Sequence, residues 1–135
     1  MRPLKGVITA AATPFRSGAI DRAAWERLIE RQAKAGVDWV LVGGTTGESP
    51  TLTLEERAEL TRRARASLDG VAGVMTGVGT NCTATSVEQA KAAVDAGAEA
   101  LLVVVPYYNR PTPSGLAAHF ATVAEAAHDR PVMLY

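Results

Sequence analysis

The chain has 135 residues, the length of one ordinary domain, and 47% of them are hydrophobic while 21% are charged. Fourteen basic and fourteen acidic side chains cancel, which argues against nucleic acid as the main partner because phosphate binding needs a basic surplus. A single cysteine argues against a disulfide scaffold, and the short apolar runs argue against a membrane partner. The first residues contain no apolar core, which argues against a secretory leader, and together these features favour the cytoplasm.

Short apolar runs alternate with segments of helical periodicity along the whole chain. The five runs that we predict to be strands are Gly6–Ala11, Trp39–Val42, Val74–Val78, Leu101–Val105 and Pro131–Tyr135. The fourth run has no polar residue in alternation, which is typical of strands covered on both faces of a parallel sheet. The sequence therefore predicts a single α/β domain over residues 1–135, in the order β-α-β-α-β-α-β-α-β.

The segments between the strands carry helix start and stop signals. Asp21 is the predicted N-cap of the first helix, and Gly36 is its predicted stop. The second helix opens with Thr53-Leu54-Glu55-Glu56, the pattern of a capping box. Its helical spacing predicts a buried stripe through Leu54, Ala58, Thr61, Ala64 or Arg65, and Leu68.

The last two helices contain both histidines and follow the cysteine. They are predicted to begin near residues 83–85 and 112–114, where threonines can serve as caps. We expect His119 and His128 of the fourth helix to lie at the surface. Cys82 is expected to be a small buried residue, since no histidine is placed to activate it as a nucleophile.

Two architectures accommodate five parallel strands. One is a complete open sheet, which would make the protein a binding module for FMN or a phosphate. The other is the N-terminal half of a (β/α)8 TIM barrel, since a whole barrel needs about 250 residues. The segment Ala35–Val42 resembles Ala96–Val103 in sequence. The offset between them is 61 residues, which is the length of two βα units of about 30 residues each. Length favours the open sheet, whereas the loops favour the barrel.

The first informative loop follows the second predicted strand and reads Gly43-Gly44-Thr45-Thr46-Gly47-Glu48-Ser49. Its glycines let the backbone turn sharply and approach a ligand closely. The two adjacent hydroxyls can bind a small carboxylate or relay a proton. The alternative is a glycine-rich turn whose threonines cap neighbouring backbone groups. A lysine followed by Ser or Thr, as a P-loop requires, is not present in this loop.

All three tyrosines stand at the ends of predicted strands. Two of them lie in Pro106-Tyr107-Tyr108-Asn109-Arg110-Pro111, after the fourth strand, and Tyr135 stands at the end of the fifth. A phenol beside a hydroxyl can pass a proton without carrying charge at neutral pH. The alternative is that the rings cover the core or fill a subunit contact. His, Cys, Asp and Glu nowhere show the spacing of a metal site, so we expect no metal.

These motifs carry a family resemblance. Gly44–Ser49, Pro106–Pro111 and the opening Ala12-Thr13-Pro14-Phe15 together resemble the dihydrodipicolinate synthase family, which consists of pyruvate-dependent class I aldolases with a (β/α)8 barrel. The resemblance runs from Leu4 to Tyr135 in matching order and spacing. It implies the N-terminal half of the barrel, ending at the fifth strand. The Thr–Thr pair favours the synthase over another pyruvate-dependent aldolase of the superfamily.

The resemblance implies an activity and a role for each matched residue. The family's carbon–oxygen lyases condense pyruvate with L-aspartate-4-semialdehyde through a Schiff base, in lysine and diaminopimelate biosynthesis, without a cofactor. Thr45, Tyr108 and Tyr135 match the catalytic proton relay, with Tyr108 reaching into the neighbour's site across a tight dimer. Thr46 matches the residue that holds the pyruvate carboxylate. The Schiff-base lysine has no counterpart in these residues, so this chain alone is expected to be inactive.

The resemblance also implies a homo-oligomer, a tight dimer or a tetramer, and a regulatory surface. Ser49, Asn81 and Tyr107 match possible allosteric or interface positions. Lysine-inhibited members carry a histidine where this chain has Leu54 and a glutamate where it has Thr85. We therefore expect weak or absent feedback inhibition by lysine.

Overall fold

The apolar runs form one parallel sheet in a computed structural model that describes residues 2–135. The elements are β1 (Ile8–Ala10), β2 (Phe15–Arg16), β3 (Ala19–Ile20), α1 (Arg22–Lys34), β4 (Trp39–Val42), α2 (Leu54–Ser67), β5 (Gly73–Gly77), α3 (Thr83–Asp95), β6 (Ala100–Val103), α4 (Pro113–Ala126) and β7 (Val132–Leu134). Two short 3₁₀ turns, Thr45–Gly47 and Ser49–Thr51, lie between β4 and α2. The predicted alternation of strands and helices is confirmed.

The order of the strands decides between the two architectures. The sheet runs β1-β4-β5-β6-β7 with every neighbouring pair parallel, so its spatial order follows the chain order without a reversal. Because parallel crossovers are right-handed, this order places α1 to α4 on the same face, where consecutive helices contact one another. A doubly wound open sheet reverses its order at a switch point. The winding is therefore that of a (β/α)8 barrel, as the family resemblance predicted.

Both faces of the sheet are covered by apolar side chains, which explains the strand sequences without polar alternation. Val40 and Val42 belong to the cluster between the sheet and the helices, together with Trp25 of α1. The opposite, inner face is formed by a second cluster around Trp39 and Met75, both fully buried. Consecutive residues of β4 thus pack into different apolar layers, and none of its four positions can be polar.

A short hairpin between β1 and α1 was not predicted. Phe15 pairs with Ile20 and Arg16 with Ala19, in antiparallel register. The two-residue connection has positive φ at both positions, 52° at the serine and 80° at the glycine, as a tight hairpin turn requires. Each strand has only two residues, which is too short for a pattern of alternation to appear in the sequence.

The predicted helix starts are confirmed, and the predicted buried face of α2 is confirmed in part. The Asp21 carboxylate accepts from the backbone N–H of Ala24 at 2.9 Å, and the Thr53 capping box is complete in both directions. Leu54, however, is 38% exposed, and the buried residues of α2 are Arg57, Leu60, Thr61 and Ala64. Thr61, Ala64 and Leu68 are thus buried as predicted, whereas the expectation for Leu54 was wrong. The buried Arg57 was not predicted, and its Nη1 donates to backbone carbonyls of two strand ends.

The internal similarity in the sequence is also a similarity in structure. Asp38 precedes β4, and its carboxylate accepts from the backbone N–H of Val7 at 2.8 Å. Glu99 precedes β6, and its carboxylate accepts from the backbone N–H of Val74 at 3.1 Å. The same kind of side chain therefore joins the amino-terminal ends of neighbouring strands at both places in the sheet.

Candidate functional site

A cavity of about 450 Å³ opens at the carboxyl ends of β4, β5, β6 and β7. Its wall comes from the loop after each of these strands, and it includes Thr45, Ser49, Asn81, Tyr107 and Tyr135. This is the end of a parallel α/β sheet at which ligands bind. The structure thus brings five of the seven predicted site residues together around one cavity.

The side chains of the cavity wall are uncharged apart from one. Apolar atoms form most of its surface, hydroxyls, amides and a thiol contribute the polar part, and Arg57 is the only charged residue among the described residues that line it. Because the wall contains a cation and no acid, it favours an anionic ligand over a cationic one. Sequence analysis missed Arg57, since a charged residue on a helix is normally assigned to the solvent side.

The loop that carries the threonines, here called the site loop (Gly43–Ser49), is tightly folded. It contains a 3₁₀ turn in which the backbone N–H of Gly47 donates to Gly44 O at 3.0 Å. A left-handed residue at each end, Gly43 with φ 62° and Glu48 with φ 58°, reverses the chain direction. A Cβ at Gly77 of β5 would overlap the carbonyl of Gly43, so the site loop lies directly on the end of the neighbouring strand.

Thr13, from the third motif of the resemblance, supports the middle of the site loop. It is 5% exposed, and its hydroxyl donates to Gly47 O at 2.7 Å. A Cβ at Gly47 would lie 2.9 Å from Ala11 O, so the loop and the segment after β1 are in close contact. The motif that opens the chain therefore acts on the site through the backbone of the loop.

The predicted threonines and tyrosines occupy different positions relative to the cavity. Thr45 lines it, whereas the adjacent Thr46 is exposed outside the wall. Tyr107 and Tyr135 line it, whereas Tyr108 is 93% exposed and has φ 70°. Tyr108 therefore projects from the surface of this chain, and its predicted role in a neighbouring subunit stays a prediction.

Two minor expectations were wrong. His119 is 4% exposed between α4 and α3, where its Nδ1 lies 2.9 Å from Thr83 Oγ1, and desolvation lowers its pKa. Cys82 is exposed at the N-cap of α3, where a hydrogen bond with Thr85 lowers the pKa of its thiol. The burial of His119 and the exposure of Cys82 depend on how helices and loops pack together, which a local sequence pattern does not show. His128 is exposed, as expected.

Residues 2–135 hold no group of three or more His, Cys, Asp or Glu side chains arranged to bind a metal ion. None of the helices that the structure describes is both long and apolar enough to cross a bilayer.

The winding of the sheet and the place of the cavity define a (β/α)8-barrel protein whose candidate site lies at the carboxyl ends of the strands. The chain matches the profile of the Dihydrodipicolinate synthetase family over residues 3–135, and it belongs to this family. Sequence and structure therefore agree on the same family and the same half of its barrel.

Individual relatives support this assignment. The chain is 51% identical over 132 residues to the 4-hydroxy-tetrahydrodipicolinate synthase of Salinibacter ruber, covering 97% of this chain and 43% of the relative. It superimposes on the dihydrodipicolinate synthase of Aquifex aeolicus with a TM-score of 0.93 and 45% identity, over 98% of this chain and 45% of that one. A synthase from Acinetobacter baumannii, solved with pyruvate, gives a TM-score of 0.93 at 36% identity, over 98% and 46%. The chain thus spans less than half the length of these relatives.

Proposed function

We propose that this chain is the N-terminal half of a 4-hydroxy-tetrahydrodipicolinate synthase, a lyase that condenses pyruvate with L-aspartate-4-semialdehyde through a Schiff base. The observation that carries the proposal is the cavity at the carboxyl ends of the strands, which contains hydroxyls and one buried cation but no acid. The names of the relatives support the activity. The placement in lysine and diaminopimelate biosynthesis follows from that activity.

The wall chemistry suits a small keto acid. A pyruvate carboxylate is attracted by the positive potential of Arg57, and the first amides of the 3₁₀ turn have no partner within the turn to which they could donate. Neutral hydroxyls can move protons without adding an acid that would repel the carboxylate. We assign Thr46, the chain neighbour of the wall residue Thr45, to the carboxylate.

We assign Thr45 and Tyr135 to a proton relay, and both line the same cavity. Tyr108 is assigned to the site of a neighbouring subunit, which its almost complete exposure permits. The lysine that would form the Schiff base with pyruvate is proposed to lie outside these 135 residues. The resulting enamine supplies the electron pair for carbon–carbon bond formation, and the relay returns the protons.

A pyruvate-dependent aldolase with another aldehyde substrate is the second candidate, since the Thr–Thr pair alone distinguishes it from the synthase in this half of the barrel. The open-sheet module for FMN or phosphate does not agree with the strand order, which has no switch point. Comparing turnover of L-aspartate-4-semialdehyde with that of other aldehydes decides between the two aldolase reactions.

The function is tested with a fusion of this chain to the C-terminal half of the Aquifex aeolicus synthase, here called the fusion enzyme. Incubation with pyruvate and borohydride should add a reduced pyruvyl group to the fusion enzyme and none to this chain alone. Thr45→Val should lower turnover while Thr122→Val, an exposed control on α4, should not. A pyruvyl adduct on Lys5, Lys34 or Lys91 of this chain, or an inactive fusion enzyme, would contradict the proposal.

We also propose that feedback inhibition by lysine is weak. Leu54 and Thr85 cannot pair with a cationic effector, and Arg57 places positive charge in the cavity that Ser49, Asn81 and Tyr107 share. Titrating the fusion enzyme with lysine should leave its rate almost unchanged at millimolar concentrations. Strong inhibition would show that the effector binds in spite of these residues.

We further propose a cytoplasmic homo-oligomer, a tight dimer or a tetramer. The exposed Tyr108 ring offers apolar surface to another subunit. Sedimentation of the fusion enzyme should show an oligomer that Tyr108→Ala weakens. A monomer at micromolar concentration would contradict this.

A further inference from the structure

Arg57 is buried without an acidic partner, which is unusual for a charged side chain. It is 2% exposed, and no carboxylate of residues 2–135 forms an ion pair with it. Arginine remains charged when buried, so the cost of its desolvation must be offset by hydrogen bonds. Nη1 and Nη2 of Arg57 make such hydrogen bonds, whereas its buried Nε–H has no partner within residues 2–135.

The hydrogen bonds of Arg57 join three segments of backbone. Nη1 donates to Gly43 O at 3.1 Å and to Gly77 O at 2.7 Å, at the ends of β4 and β5. The same nitrogen lies 3.0 Å from Ser49 Oγ, and Nη2 donates to Ser49 O at 2.8 Å. One guanidinium therefore holds both ends of the site loop against the neighbouring strand.

We propose that Arg57 is a positioning residue of the candidate active site, which holds the site loop so that Thr45 lines the same cavity as Tyr135. The inference rests on the proposed function, since it assigns Arg57 to the geometry of that reaction. Thr45 is two residues from Gly43 and four from Ser49, and both of these are bound to the guanidinium. The planar fork of arginine reaches all four oxygens, whereas the single ammonium nitrogen of lysine cannot.

The first test is amide hydrogen exchange on this chain carrying Arg57→Lys. This substitution keeps the positive charge and removes the planar guanidinium with its several N–H donors. The amides of Gly47, Glu48 and Ser49 should exchange at least about tenfold faster, while amides in α4 keep their protection. Arg62→Lys, at an exposed position of the same helix, is the matched control. Unchanged exchange in the site loop would overturn the proposal. An equal loss of protection in α4, or an unfolded chain, would also overturn it, because Arg57 would then serve general stability.

The second test is a double-mutant cycle in the fusion enzyme. Arg57→Lys should lower kcat about tenfold or more, since small misplacements of a reacting group are costly. In the presence of Thr45→Val the same substitution should have almost no further effect, because the group that Arg57 positions is gone. Additive losses would overturn the proposal. If the fusion enzyme lacks activity with Arg57 present, the proposed function fails, and hydrogen exchange alone decides the role of Arg57 in holding the loop.

Discussion

Two buried threonine hydroxyls between α2 and β5 form a hydrogen bond in which one donates and the other accepts. Stability measurements can show which hydroxyl has which role. Thr61 and Thr76 are both fully buried, with their Oγ1 atoms 3.0 Å apart. The Thr61 hydroxyl donates its single hydrogen to the carbonyl of Arg57 at 2.8 Å. Thr76 must therefore be the donor in the pair, and Thr61 Oγ1 is its acceptor.

Replacing each threonine with valine, which has the same shape, should give different losses of stability. Thr61→Val leaves the Thr76 hydroxyl buried without a partner, which costs about 1–3 kcal/mol. Thr76→Val leaves Thr61 bonded to the Arg57 carbonyl and buries an additional methyl group, so the free energy of unfolding should change by less than about 0.5 kcal/mol. The double variant should be more stable than Thr61→Val, because no hydroxyl is left unpaired.

Urea unfolding of this chain, followed by the fluorescence of the buried Trp25 and Trp39, measures the difference. With a slope of about 2 kcal/mol per M, the midpoints of the two single variants should differ by roughly 0.25–1.5 M. Thr122→Val, at an exposed position, serves as the control for the substitution itself. If Thr76→Val proves as destabilising as Thr61→Val, the assignment of donor and acceptor is wrong.

Two further predictions concern packing and pH. Gly73→Ala would place a methyl group in overlap with the ring of Trp39, the partner of Gly73 in the β4–β5 register. The substitution should lower the free energy of unfolding by about 1–3 kcal/mol in a urea titration. An unchanged midpoint would show that the ring moves aside freely. Desolvation holds the pKa of His119 below its value in the unfolded chain, near 6.5, so stability should be full above that pH and fall as pH decreases below it. His119→Gln should flatten this fall between pH 7 and 5, and a slope equal to that of the unsubstituted chain would contradict the assignment.

The strands and helix ends could be predicted because their signals are local. The run at β4 is apolar at every position since each of its faces packs into an apolar layer, and Asp21 and Thr53 show their capping role within three residues of sequence. The family motifs likewise lie in continuous segments. Each of these signals depends on neighbours in the chain, which a sequence displays directly.

The features that were missed depend on contacts between distant segments. Arg57 is buried because carbonyls 14 and 20 residues away in sequence accept its hydrogen bonds. The burial of His119 beside Thr83 joins residues 36 positions apart. The difference between Tyr107 and Tyr108 follows from a left-handed backbone at the second tyrosine, and both residues fit the same pattern in sequence. Helical periodicity and composition contain none of this information.

The two ends of the sheet differ in how they use acidic side chains. Asp38 and Glu99 stand at the amino-terminal end and are occupied by backbone N–H groups there, whereas the described wall at the other end holds no carboxylate. The carboxylates of the fold are thus engaged in joining strands at one end, and the proposed anionic ligand would meet no carboxylate in the described wall at the other. Substitutions at Asp38 or Glu99 should therefore change the stability of the sheet, whereas substitutions in the cavity wall can change its charge and leave these strand contacts in place.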